Sequence, residues 1–95
     1  MRNYEIMYII NPNLDDAARA EVNKKYEDVL VSRDSKIAEA KDWGLRDLAY
    51  EIKKVNKGYY MILKVEANND AIAEFERLAL IDQNIIRHMI VLEEN

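Results

Sequence analysis

Apolar and polar residues alternate over residues 2–10, with Tyr4, Ile6, Tyr8 and Ile10 on one side and Asn3, Glu5, Met7 and Ile9 on the other. Aromatic and β-branched residues dominate, which predicts a strand. Asn11-Pro12-Asn13 breaks it, and Asn13 stands where it caps a helix whose first turn carries Asp15 and Asp16, carboxylates that meet the positive end of the helix dipole. Leu14, Ala18, Val22, Tyr26 and Val29 then recur near helical spacing, giving a first amphipathic helix over residues 14–31. Residues 36–54 read as two strand-like pieces interrupted at Gly44, and the turn-like Asn56-Lys57-Gly58 leads into a strand over residues 57–67, so a long hairpin is predicted. Asn68-Asn69-Asp70 forms a second capping cluster, Ile72, Phe75, Leu78 and Ala79 mark a second helix, and Ile85 to Glu93 form the last strand. The order β-α-β-β-α-β predicts an α+β, ferredoxin-like split βαβ fold, a four-stranded antiparallel sheet with two helices on one face.

Such a sandwich leaves one sheet face uncovered, and strand parity says which side chains lie there. Glu5, Lys64 and Glu66 avoid a core, so their parity mates Met7, Ile9, Tyr60 and Ile62 are expected to face outward, joined by Arg87, Met89 and Val91. A contiguous apolar patch of this kind marks a partner surface more often than chance exposure does. The same parity disfavours an RNA-recognition-motif reading of Lys57-Gly58-Tyr59-Tyr60-Met61-Ile62-Leu63-Lys64. Stacking bases on Tyr8, Tyr59 and Met61 would turn Glu5, Lys64 and Glu66 toward the helices, where an unpaired charge costs several kcal/mol.

Length and charge narrow the choice of partner. Ninety-five residues are expected to form a single domain, 1–95. No cysteine is present, which removes disulfides and thiolate metal sites. The longest uncharged runs reach about half a membrane span or less, and the start leads into a strand rather than an apolar signal region, so a soluble, untargeted chain without a membrane partner is expected. A net charge of −4 and a pI near 5.0 are unusual for a free-standing nucleic-acid binder. The charge is uneven, however: residues 41–64 hold six basic and three acidic residues, a balance of +3, while the rest holds eight basic and fifteen acidic, −7. A modest basic tip on an acidic body implies few phosphate contacts and a second, basic partner that supplies most of the attraction.

Candidate residues cluster around that tip. Lys41, Asp42, Arg46 and Asp47 flank Gly44 on a strand expected at the sheet edge, where charges block edge-to-edge pairing. The same edge suits a partner segment, with Leu48, Tyr50 and Ile52 supplying apolar contact and Arg46 a clamp for phosphate or carboxylate. Trp43 is expected to anchor in the core at a bulge, in preference to an interface role, and Tyr50 divides in the same way. Lys53, Lys54 and Lys57 surround the hairpin tip. His88, the one histidine, is expected to pack near the sheet edge rather than to ligate a metal. No nucleophile elbow, glycine-rich phosphate loop or paired carboxylates call for catalysis, cofactor or small-molecule substrate.

Several stretches together resemble one family. Gly44-Leu45-Arg46-Asp47-Leu48-Ala49-Tyr50-Glu51-Ile52-Lys53 reads G-x-R-[polar]-L-A-Y-x-I-K and looks like the signature of the bacterial ribosomal protein S6 family. Arg2-Asn3-Tyr4-Glu5-Ile6 resembles its opening, Asn11-Pro12-Asn13-Leu14 its strand-to-helix turn, and Ile86-Arg87-His88-Met89-Ile90-Val91 its closing strand, in order and at the family's spacing. The resemblance implies the ferredoxin-like fold, a cytoplasmic, non-catalytic role in the small (30S) ribosomal subunit, pairing with the small basic ribosomal protein S18, and cooperative binding to the central domain of 16S ribosomal RNA during assembly. On that reading Arg2, Arg46, Lys53, Lys54 and Arg87 are the RNA-binding candidates. Leu48, Tyr50, Ile52, Met7, Ile9, Tyr60, Ile62 and Met89 are the candidates for the protein partner. Asp47 stands where many relatives carry Arg or another non-acidic residue, so no RNA contact is carried onto it, and the chain ends at Glu93-Glu94-Asn95 without the longer charged tail of some relatives.

Two other readings stand beside this one. A small ferredoxin-like enzyme of acylphosphatase type, or a ligand-sensing module, would need an anion-cradling loop with a placed Arg and Asn; Arg2, Asn11 and Asn13 are available, but the Pro12 turn lacks glycines. A weak homodimer through the open sheet face would need no RNA.

Overall fold

The computed structural model describes residues 1–93, and the last two residues of the acidic C-terminus, Glu94 and Asn95, lie outside the described residues. Six elements follow in order: β1 (Arg2–Ile10), α1 (Asp16–Val31), β2 (Lys36–Ile52), β3 (Val55–Ala67), α2 (Asn69–Ile81) and β4 (Ile85–Leu92). The strands pair antiparallel in the order β2-β3-β1-β4, so β2 and β4 are the edges. This is the ferredoxin-like arrangement that the alternation predicts.

One side of each central strand builds the core. Tyr4, Ile6, Tyr8 and Ile10 of β1 join Met61, Leu63, Val65 and Ala67 of β3, and Val22, Tyr26, Leu30, Ala71, Phe75 and Ala79 close over them from the helices. Tyr8, Tyr26 and Phe75 form a triangle of tilted rings with centroids 5.0–5.9 Å apart, each such pair adding about 0.5–1.5 kcal/mol beyond its buried area. Their hydroxyls are satisfied at the core's margin: Tyr8 donates to Asn23 Oδ1 at 2.7 Å and Tyr26 to Asp82 Oδ2 at 2.7 Å. Burial pushes the Tyr8 hydroxyl pKa up, and burial together with the Asp82 carboxylate does the same to Tyr26, so both remain donors.

Both helices are capped by side chains, one of them not where the sequence suggests. Asp15, not Asn13, caps α1, accepting from the Ala18 amide at 2.8 Å. Asn13 is engaged earlier, its amide donating to Asn11 Oδ1 at 2.9 Å in a turn of Asx type, and the helix starts only after that turn is complete. In α2 the first residue of the expected cluster, Asn68, is the cap, accepting from the Ala71 amide at 2.8 Å.

The hairpin also reverses at a different place. Ile52 pairs with Val55, so the turn consists of Lys53 and Lys54, at φ 49° and 67°, while Asn56, Lys57 and Gly58 belong to β3. Two consecutive residues at positive φ are the pattern of a type I′ turn, for which Asn-Gly is the usual choice. Gly58 serves close packing instead: a Cβ there would lie 2.2 Å from Ile9 Cγ2. Gly44, at φ 75°, makes the expected interruption, where the register slips between Asp42 and Gly44 and Asp42 Oδ1 accepts from the Gly44 amide at 2.8 Å.

Candidate protein and nucleic-acid interface

Register fixes the layout of the uncovered face. Glu39, Lys64, Glu5 and Val91 form one row across the four strands, Lys41, Ile62, Met7 and Met89 the next, and Gly44, Tyr60, Ile9 and Arg87 a third. The face therefore grades from charged at one end to apolar toward the hairpin end. The parity that places Glu5, Lys64 and Glu66 away from the core holds.

The hairpin then folds over part of this face. Between Asp47, paired with Lys57, and Ile52, paired with Val55, β2 carries four residues against the single Asn56 of β3, so Leu48–Glu51 leaves the ladder as an arch. Leu48, Ala49, Tyr50 and Ile52 meet Met7, Ile9, Tyr60, Arg87 and Met89 around a groove of about 210 Å³. Seven of the eight residues proposed for a protein partner line that one groove; Ile62 does not.

Two residues expected to face a partner are withdrawn from it. Ile9 is only 2% exposed because the arch and Gly58 close over it, and Ile62 is 6% exposed in its row between Lys41 and Met7, with Tyr60 and Lys64 on either side along β3. Tyr50 and Met89 are the open members, 62% and 44% exposed. Trp43 also departs from expectation. It is not a core anchor but 47% exposed, because the extra residue of a bulge on an edge strand has no facing layer to enter.

Four of the five candidate RNA cations surround the hairpin end. Arg87 donates to the Tyr50 hydroxyl at 2.8 Å, the Lys53 ammonium donates to the Ile85 carbonyl at 3.1 Å, and Arg46 Nε donates to the Trp43 carbonyl at 3.2 Å with its guanidinium carbon 4.9 Å from the Trp43 ring centroid. Lys54 is exposed in the turn. Arg2 is not part of this group. It pairs with Ala67 at the opposite end of β1, roughly 24 Å from Ile9 at strand rise, and has the parity of the core side.

Pairing separates these cations from six of the others. Among the described residues, no carboxylate lies within 4.0 Å of Arg2, Arg46, Lys53, Lys54 or Arg87, nor of Lys24, Lys36 or Lys64, whereas Arg19, Lys25, Lys41, Lys57 and Arg77 each have one and Arg33 has two. Asp47 lies 3.8 Å from Lys57, so its charge offsets that lysine rather than Arg46. The arch and the exposed Trp43 are what the sequence conceals. The one available signal was the positive-φ glycine, which marks a bulge but not what the bulge exposes.

The base-stacking and enzyme readings fit the geometry poorly. Tyr8 and Met61 are buried in the core, and Tyr59 lies under the Arg19 guanidinium, 3.9 Å from its ring centroid, so these residues offer no stacking surface on the open face. At the Pro12 turn the Asn11 amide donates to the Asn84 carbonyl, the Asn13 amide to the Asn11 side chain and the Leu14 amide to the Asn11 carbonyl, which leaves no cradle of free amides, and Arg2 lies at the far end of the strand. His88 Nε2 is 3.5 Å from Glu76 Oε1 on the helix side, and no cluster of His, Cys, Asp and Glu suited to a metal occurs among the described residues.

Fold and site together define a ferredoxin-like binding protein with an open sheet face and a cationic hairpin end. A sequence model of the family described as ribosomal protein S6 matches residues 3–92. The solved structure of 30S ribosomal protein S6 from Thermotoga maritima is similar to this chain with a TM-score of 0.92 at 30% identity, covering 97% of this chain and 87% of that one. The chain belongs to the ribosomal protein S6 family, and is thus a non-enzymatic, RNA-binding structural component of the small ribosomal subunit, ribosome-associated in the cytoplasm.

Proposed function

We propose that the chain binds the central domain of 16S ribosomal RNA cooperatively with ribosomal protein S18 during subunit assembly, acting as one domain over residues 1–95. The observation that carries this reading is the cluster at the hairpin end of cations without carboxylate partners among the described residues, beside an apolar groove on the uncovered face. Arg46, Lys53, Lys54 and Arg87 are the RNA contacts, with Arg2 a separate contact at the far end of the sheet. The groove, through Tyr50, Met89 and the half-buried Met7, Leu48, Ile52 and Tyr60, takes the protein partner.

Charge explains why two components are needed. A chain of net charge −4 with a handful of free cations gains little from phosphate neutralisation alone. A basic partner seated beside the hairpin end adds positive potential and extends the RNA surface, and each component then raises the other's affinity by the same coupling free energy. Titrating a central-domain RNA fragment with this chain, with and without S18 at fixed salt, tests it. The expected result is tight binding only with S18 present and an equal reciprocal gain for S18; RNA affinity independent of S18 would contradict the proposal.

A further inference from the structure

Trp43 is an unexplained feature of the basic end. An indole half open to solvent on an edge strand gains no core, and the bulge at Gly44 twists the edge out of register, which discourages docking of another strand there. Arg46 holds its guanidinium against the indole, with its Nε anchored on the Trp43 carbonyl, and no carboxylate among the described residues lies within 4.0 Å of it. Beside Arg46 lies an open hollow of about 460 Å³, walled by Leu45, Arg46, Asp47 and Lys57, where Asp47 pairs with Lys57 and leaves Arg46 without a counter-charge. An aromatic face joined to a guanidinium plane, with cations beside it, is the combination that takes an unstacked nucleobase and its phosphate.

We propose that Trp43, braced by Arg46 on the bulged edge of β2, stacks one unpaired nucleobase, with the flanking phosphate at the Arg46 and Lys57 end of the hollow. The inference rests on the RNA-binding reading above and assigns it a single-stranded contact. An apolar side chain from the protein partner is the competing occupant. The unpaired Arg46 guanidinium, and the absence among the described residues of a facing apolar layer around Trp43, favour the base.

Trp43 is the only tryptophan in the chain, so its emission reports this site alone. The test adds S18 and then the central-domain RNA fragment to the full chain, following Trp43 emission together with complex formation by gel mobility, S18 being used in a tryptophan-free form. Expected is little change with S18, quenching when RNA binds, and RNA affinity about 5- to 100-fold weaker for Trp43→Ala but close to wild type for Trp43→Phe. Trp43→Tyr serves as a second aromatic control should the alanine variant unfold. A blue shift at the S18 step, or RNA binding with unchanged emission and no loss in Trp43→Ala, overturns the stacking contact while leaving RNA binding intact. Failure of wild-type chain and S18 to shift the RNA at all overturns the broader reading, and the stacking with it.

Discussion

The helix side and the hairpin end of the same sheet treat charge and apolar surface in opposite ways. Under the helices, Tyr8, Tyr26 and Phe75 interlock and their hydroxyls find partners, while Lys25, Arg33 and Arg77 each meet a carboxylate. At the hairpin end, Arg46, Lys53, Lys54 and Arg87 have no carboxylate within 4.0 Å among the described residues, Trp43 and Tyr50 are open, and two lysines occupy positive φ in a turn where Asn-Gly costs less. The helix side pairs most of its charged and aromatic groups within the fold, with Arg19 Nη1 and the Ser35 hydroxyl buried without a partner, and so contributes stability. The other leaves cations without counter-charges and holds two lysines at positive φ at some cost to stability, which suits a surface completed by other molecules.

That contrast can be broken from either side. The largest effect is expected for Phe75→Ala, which empties the centre of the aromatic triangle and should cost about 3–5 kcal/mol in urea unfolding, with RNA affinity of the remaining folded protein unchanged. Gly58→Ala should cost about 1–3 kcal/mol by overpacking against Ile9; it also displaces the hairpin end, so S18 binding should weaken along with stability. Arg46→Ala and Arg87→Ala should each lower RNA affinity roughly tenfold and reduce the salt slope by about 0.7–0.9 log unit, while stability changes by no more than about 0.5 kcal/mol. Replacing Lys53-Lys54 with Asn-Gly should raise stability by about 1 kcal/mol, by relieving two positive-φ lysines, and weaken RNA binding.

The smallest effect concerns acid. Burial raises the Asp82 pKa, but the Tyr26 hydroxyl, the Asn84 amide and Lys25 outweigh it, and the net shift is downward from 3.8. A depressed carboxylate gives stability that is complete above its unfolded pKa and is lost as pH falls through the lower folded value. Wild type should therefore lose stability below about pH 3.8 more steeply than Asp82→Asn, as thermal unfolding across pH would show.

Strand parity made the core legible, because Tyr4, Ile6, Tyr8 and Ile10 alternate with Glu5 and Met7, and a one-residue slip would bury Glu5, Lys64 and Glu66. Helix positions were readable from the Asx clusters, though which Asx caps was not, since Asn11 and Asp15 compete for the same stretch through different local hydrogen bonds. The turn was misplaced because Gly58 reads as a turn residue and lysines do not, while the fold uses that glycine to admit Ile9. Alternation says which face a residue takes but not where a strand leaves its partner. The arch over Ile9, and with it the conversion of a flat patch into a groove, therefore could not be foreseen. Arg2 looked continuous with the other cations because sequence gives no distance between strand ends.

The most direct test compares two charge-matched variants in the S18-containing complex: Lys53→Gln with Lys54→Gln at the hairpin, and Lys24→Gln with Lys25→Gln on α1, titrated with central-domain RNA across salt. The account predicts that the hairpin variant loses tenfold or more in affinity and about 1.4–1.8 log units of salt slope, two phosphate contacts' worth, while the α1 variant binds as wild type does. Equal losses in the two variants would mean that RNA responds only to overall charge, and would contradict the division of labour between the two sides of the sheet.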